Sequence, residues 1–225
     1  MLSRYGEAES AARRAVQLDP KSIEAHYLLG WAMVNQEKIT GTLSRICTPW
    51  RRIGRMSPSE LSRLWQEHTS HEFVTRDTEA TLATMADDAY VNHVPVLTGG
   101  LGKTALREFY SQRFIPSMPP DTTLTPISRT VGEDQLVDEM IFSFTHTQEM
   151  PWMLPGVPPT HRRVEIPLVA IVRFRDGKLA HEHIYWDQAS VLKQLGLIAD
   201  ADLPVFGVET ARKVIDPSFP GSAHV

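Results

Sequence analysis

The apolar positions of this chain change period partway along. Up to about residue 114 they recur mostly at helical spacing, and from about residue 123 they alternate with polar ones. In the first regime, Ala8, Ala12, Ala15 and Leu18 predict a helix over 6–18, which Asp19-Pro20 stops because proline disfavours helix at the residue before it. Ala25, Leu28, Leu29, Ala32 and Met33 predict a second helix over 22–37. A third begins at Ser57, a capping residue followed by Pro58 and, three positions on, by Glu60, the pattern of a capping box. Leu61, Leu64, Trp65, His68 and Phe73 mark one face of that helix, predicted over 58–76. A short helix over 78–85, a short strand over 87–95, a turn at Gly99-Gly100 and a helix over 104–114 follow.

The second regime predicts strands over 123–130, 135–146, 164–174 and 178–186, rich in β-branched and aromatic residues. Glu133-Asp134 and Asp176-Gly177 are turn signals, the latter a strong one for a tight hairpin. Residues 150–161 hold four prolines and predict a loop rather than a central strand. A last helix over 188–195 ends at Gly196, and 199–225 reads as a weakly structured tail. Helices followed by hairpin-linked strands predict an α+β fold with an antiparallel sheet.

Charge divides the chain. Residues 1–58 hold 9 Lys and Arg against 5 Asp and Glu, whereas 59–225 hold 14 against 22. This predicts four parts: a helical hairpin over 1–40, a linker over 41–57, a main domain over 58–198 and the tail. With 42% apolar and 22% charged residues in 225, the composition is that of a globular protein able to bury its own core. A net charge of −4 argues against nucleic acid or an anionic membrane as a partner. The single cysteine, Cys47, excludes a disulfide framework and a cysteine zinc site. No apolar run reaches membrane-spanning length, and residues 1–20 lack an apolar signal core, so the expected location is cytoplasmic. The run Gly99–Thr104 has glycines and a lysine but not the phosphate-loop spacing.

Two resemblances add to this reading. Ala8, Ala12, Ala15, Pro20 and Leu29-Gly30 resemble the junction between two tetratricopeptide repeats, with about one repeat's worth of residues present. Such an arm packs as a helical hairpin or docks a protein partner, since stacked repeats need about three copies. In the main domain, DAYVNH at 88–93, the segment 99–109 and DGKLAHEHIYWDQASVLKQLG at 176–196 resemble the nuclear transport factor 2-like superfamily, and most closely its SnoaL-like polyketide cyclase branch. The resemblance covers about 59–198. It implies a cone in which a curved antiparallel sheet wraps helices around an apolar pocket. It also implies homodimers through the outer sheet face, and acid–base chemistry with neither metal nor organic cofactor.

On that resemblance, Asp187 is the expected acid/base, with helix capping as its competing role. His93, at the end of the first strand, and His146, on the face of Met140, Phe142 and Phe144, are the expected assisting groups. Tyr90, Phe144, Trp152, Glu182, Tyr185 and Trp186 are the expected pocket residues, with Trp152 and Met153 forming a lid. The last strand stays ambiguous: His181, His183, Tyr185 and Asp187 share one face, Glu182, Ile184 and Trp186 the other, and one bulge exchanges them. His181-x-His183 projects two imidazoles to one side, a weak metal signal that His93 or His146 would have to complete. The expected function is aldol cyclisation, isomerisation or dehydration of a small apolar carbonyl compound. The alternative is a non-catalytic ligand-binding or dimeric accessory module tethered by the N-terminal arm.

Overall fold

A computed structural model describes residues 56–198 and 203–220, together with 10, 11, 13, 14, 17 and 18, which are helical. The chain divides into two units, Met1–Ile53 and Gly54–Val225. The tetratricopeptide-like hairpin and the linker otherwise lie outside the described residues. None of the described helices is long and apolar enough to cross a membrane.

Helix α1, Pro58–Phe73, starts as its sequence predicts. Ser57 Oγ accepts from the Glu60 backbone N–H, and Glu60 Oε2 accepts from the Ser57 backbone N–H at 2.6 Å. Its buried face carries Leu61, Leu64 and Trp65, but also His68 and Glu72. Helix α2, Thr78–Ala83, is capped by Asp77 and leads into strand β1, Met85–His93. The expected turn at Gly99-Gly100 is instead strand β2, Thr98–Leu101, pairing with β1. Glycine is required there: at φ +134°, a Cβ on Gly99 would stand 2.0 Å from the Val91 carbonyl oxygen.

The helix expected over 104–114 is composite. Helix α3, Gly102–Glu108, passes into a π-helical turn, Phe109–Phe114, and a short 3₁₀ turn, Ile115–Ser117. The wider π turn brings residues five apart into line. Phe109 and Phe114 therefore meet at a ring-centroid distance of 5.6 Å, and Tyr110 is buried beside them.

Strands β3 (Thr123–Val131), β4 (Gln135–Thr145), β5 (Arg163–Arg175) and β6 (Lys178–Trp186) complete a six-stranded sheet in the order β2-β1-β6-β5-β4-β3. Neighbours are antiparallel except β1 and β6, which run parallel. Asp176 and Gly177 turn β5 into β6 with φ of 51° and 75°, the left-handed pair that a two-residue hairpin demands. A bulge follows at once: Phe174 pairs with Leu179 and Arg173 with His181, so Ala180 is the extra residue. Leu179 faces the core, and beyond Ala180 it is Glu182, Ile184 and Trp186 that face it.

Helix α4, Gln188–Gln194, packs on β5. The presumed tail carries a helix of its own, α5 (Glu209–Ile215), whose Ala211 is fully buried and which also contacts β5. Lys193 Nζ donates to the Val205 carbonyl at 2.7 Å and Ser190 Oγ lies 2.6 Å from that of Phe206, so this segment is docked rather than loose.

Candidate active site

The main unit holds a narrow apolar cavity of about 40 Å³ between α1, the π turn and the inner face of the sheet. Phe73, Phe109, Phe114, Phe142 and Trp152 give it aromatic walls. Its polar lining is sparse: Thr69, Glu72, His93, Tyr110 and Glu182.

Glu72 and Glu182 converge on one imidazole. His68 Nε2 lies 3.2 Å from Glu72 Oε1 and 3.1 Å from Glu182 Oε1. His68, Glu72 and Glu182 are 0%, 4% and 2% exposed. Helical spacing stacks His68 over Glu72, and the Ala180 bulge turns Glu182 inward to meet them. The ring's other nitrogen settles its protonation. Thr84 Oγ1 gives its only hydrogen to the Thr81 carbonyl at 2.6 Å, so at 2.6 Å from His68 Nδ1 it can only accept. Nδ1 therefore carries hydrogen, and the titrating site is Nε2.

Burial by itself would push the His68 pKa down, but the carboxylates of Glu182 and Glu72 outweigh it and lift the value to about 10. The imidazole is thus a cation at neutral pH. Burial pushes the Glu182 carboxyl up, with His68 pulling the other way. One N–H cannot aim squarely at two carboxylates. Glu182 Oε1 is sealed from solvent and has no well-aligned hydrogen bond among the described residues, although it lies within ion-pair reach of His68. Burial, and then the two glutamates, also hold the Tyr110 phenol well above its usual range; its hydroxyl lies 3.5 Å from Nε2. Trp65, ring-stacked on His68, is pinned by its Nε1–H to Asp138 at 2.7 Å, and Arg129 grips the same carboxylate.

The sequence-predicted residues distribute as follows. Asp187 does not reach the cavity. It is exposed, with Oδ1 accepting from the Ala189 backbone N–H at 2.9 Å and Oδ2 lying 2.7 Å from Ser190 Oγ, so its carboxylate is spent on the start of α4. The bulge at Ala180 is the reason, because beyond it the odd-numbered residues face outward. Tyr185 is 41% exposed on that side, and Tyr90 stacks there on His181 and bonds to His183 Nε2 at 2.9 Å. Neither tyrosine lines the cavity. Glu182, Trp152 and His93 do. Phe144 and Trp186 are buried in the surrounding core, where Trp186 meets the rings of His93 and Trp152. His146 is fully buried and does not line the cavity. Its Nδ1 accepts from the Thr160 backbone N–H at 3.2 Å, and its Nε2 has no partner among the described residues. Trp152 and Met153 are both buried, and their loop is tied down through the Trp152 and Met153 carbonyls, which accept from Thr98 Oγ1 and Gln188 Nε2.

The sequence reading did not single out His68, Glu72 and Tyr110 as candidate site residues. The signal was present: His68 and Glu72 sit four apart on a stripe that is otherwise Leu61, Leu64 and Trp65. His68, Glu72 and Glu182 are also the donor set among the described residues that could close on a metal ion, their ligand atoms lying within 4.8 Å of one another. The pair His181 and His183 gathers no third ligand there.

Comparison with curated protein sequences found no match. Among solved structures, the chain is similar to TsrD from Streptomyces laurentii, with 21% identity, a TM-score of 0.51, and 64% of this chain and 99% of that one covered. It is similar to AclR, a candidate hydroxylase from Streptomyces galilaeus, with 22% identity, a TM-score of 0.51, and coverage of 64% and 89%. It is also similar to an NTF2-like protein from Burkholderia pseudomallei, with 17% identity, a TM-score of 0.48, and coverage of 62% and 98%. At such identities TsrD and AclR share the fold, and their activities do not transfer. The sequence itself goes further: residues 65–195, more than half the chain, match the SnoaL-like polyketide cyclase family, and the chain belongs to that family.

Proposed function

We propose that this protein is an acid–base enzyme acting on a small, apolar, carbonyl-bearing molecule, and that Glu182 takes and returns the proton. Aldol cyclisation, isomerisation and dehydration all fit, since each can start by removing a proton next to a carbonyl. One observation carries the reading: the buried Glu182 carboxyl group lines a mostly apolar cavity together with the Tyr110 phenol.

Each neighbour has a role in this reading. Burial makes the Glu182 carboxylate more basic than one in water. His68, which does not line the cavity, is a fixed positive charge behind the two glutamates and keeps Glu182 ionised enough to act. Tyr110 lines the cavity and keeps its hydrogen over the working pH range, so its hydroxyl can donate to the oxygen that gains charge as an enolate forms. The aromatic walls exclude water, which strengthens both interactions. None of these steps uses a metal.

The test follows exchange of the α-hydrogens of 2-tetralone for deuterium by NMR, with the full chain as catalyst. The wild type should accelerate exchange, chelation with EDTA should leave the rate unchanged, and Glu182→Gln should lower it roughly 10²- to 10⁴-fold, the span of a lost general base. Tetralone that binds without faster exchange would favour a non-catalytic ligand-binding module. A Glu182→Gln variant as fast as wild type would remove Glu182 from the reaction.

A further inference from the structure

His93 lines the same cavity from the inner face of β1 but stands apart from the glutamate cluster. Four rings surround it, those of Phe109, Phe114, Trp152 and Trp186, with centroids 5.2 to 5.8 Å away. Among the described residues its side-chain hydrogen-bond partner is Thr98, whose Oγ1 lies 3.2 Å from Nδ1. The Thr98 hydroxyl donates to the Trp152 carbonyl at 2.6 Å, and that uses its only hydrogen. Thr98 therefore accepts from His93, and Nδ1 carries the hydrogen. Nε2 is left as a bare lone pair with no hydrogen-bond partner among the described residues, and it is not among the polar atoms sealed from solvent, which leaves it open to the cavity.

We propose that His93 Nε2 is a built-in hydrogen-bond acceptor for the ligand, and that the natural ligand carries, besides its carbonyl, a hydroxyl group that donates to it. The carbonyl half of this statement rests on the acid–base reading above; the hydroxyl half rests on the Thr98–His93 geometry alone. Such an acceptor also limits what His93 can do. It cannot donate to a carbonyl oxygen or an oxyanion, so that task stays with Tyr110. Burial holds the ring neutral, with a pKa of about 3, so Nε2 stays an acceptor at any physiological pH. A cavity wall with a fixed acceptor discriminates strongly, because a ligand lacking the donor leaves the nitrogen buried and unpaired.

The experiment compares three probes, 2-naphthol, 2-methoxynaphthalene and naphthalene, by titration calorimetry on the full chain. 2-Naphthol should bind at least about tenfold more tightly than either of the others, as one net hydrogen bond provides. His93→Phe, which keeps an aromatic ring in the cage, should reduce that preference to about twofold or less. On the wild type with ¹⁵N-labelled histidine, the Nε2 resonance of His93 should move on adding 2-naphthol and stay put with naphthalene. Equal affinities, no binding of 2-naphthol, an unmoved resonance at saturation, or a preference that survives in His93→Phe would each overturn the proposal. The last would place the hydroxyl on Glu182 or Glu72 instead. No readout here needs turnover, so a failed tetralone assay and a failed naphthol preference are separate results.

Discussion

Removing the proton-binding capacity of His93 should change how the fold responds to acid. The folded ring is held at a pKa of about 3 by burial, a hydrogen bond with Thr98 offsetting this only in part, against 6.5 for an ordinary histidine. A depressed value means the stability that goes with a neutral His93 is present above about pH 6.5 and is lost as pH falls towards 3. Each pH unit in that window costs about 1.4 kcal/mol. Going from about pH 6.5 to about pH 4 therefore removes roughly 3 kcal/mol, a large share of the 5–15 kcal/mol that holds a typical domain together. No solvent discount applies, because the side chain is buried within an uncharged aromatic cage. Urea unfolding of wild type and His93→Phe at about pH 7, 5.5 and 4 measures it, since every other titrating group is common to both proteins and cancels in the difference. Wild type should lose about 3 kcal/mol more than His93→Phe across the series. Parallel loss in the two proteins would show that the ring is hydrated or reprotonates freely, and the buried-acceptor geometry would fall with it.

Two further substitutions separate roles that the sequence confuses. Asp187→Asn keeps an oxygen for the Ala189 N–H, so exchange of 2-tetralone should stay within about twofold of wild type, whereas Asp187→Ala should cost about 1 kcal/mol in urea unfolding as a lost cap. A tenfold or greater loss of rate in Asp187→Asn would return the acid–base role to Asp187. Thr84→Val leaves the His68 Nδ1–H buried without an acceptor and should destabilise by about 1–3 kcal/mol, with Thr84→Ser close to wild type. A Val variant as stable as wild type would refute the assigned tautomer.

What the sequence made legible were features written in neighbouring residues. Ser57, Pro58 and Glu60 announce α1 because a capping box is a local bond pattern, and Asp176-Gly177 announces its hairpin because left-handed backbone needs those residue types. Strand β2 was not legible. Gly99 looks like a turn residue, and only the approach of the Val91 carbonyl across the β1–β2 pairing gives its conformation a place in a sheet. The π turn leaves no mark either, because Phe109, Tyr110 and Phe114 suit an ordinary helix as well. For the site, alternation placed both sets of the last strand but could not rank them, since Ala180 breaks no pattern when it is inserted. Asp187 drew attention as a carboxylate after aromatic residues, a pattern a helix cap shares. His68 passed as a member of an apolar stripe and Glu72 drew no notice, because their polar meaning appears only when Glu182 arrives from more than a hundred residues away.

Ala180 also bears on how such a domain can change over generations. A point substitution there alters one side chain, but a ladder that took Ala180 in as the partner of Arg173 would re-address every position downstream of it in β6. His181, His183 and Tyr185 would then turn to the cavity and Glu182 to solvent, with the hydrogen-bonded ladder still able to form. The chemistry of the inner wall is thus held by the pairing register as much as by residue identity. In relatives with this strand, an aligned glutamate at the place of Glu182 carries the same meaning only where it keeps the pairing that Glu182 makes with Val172.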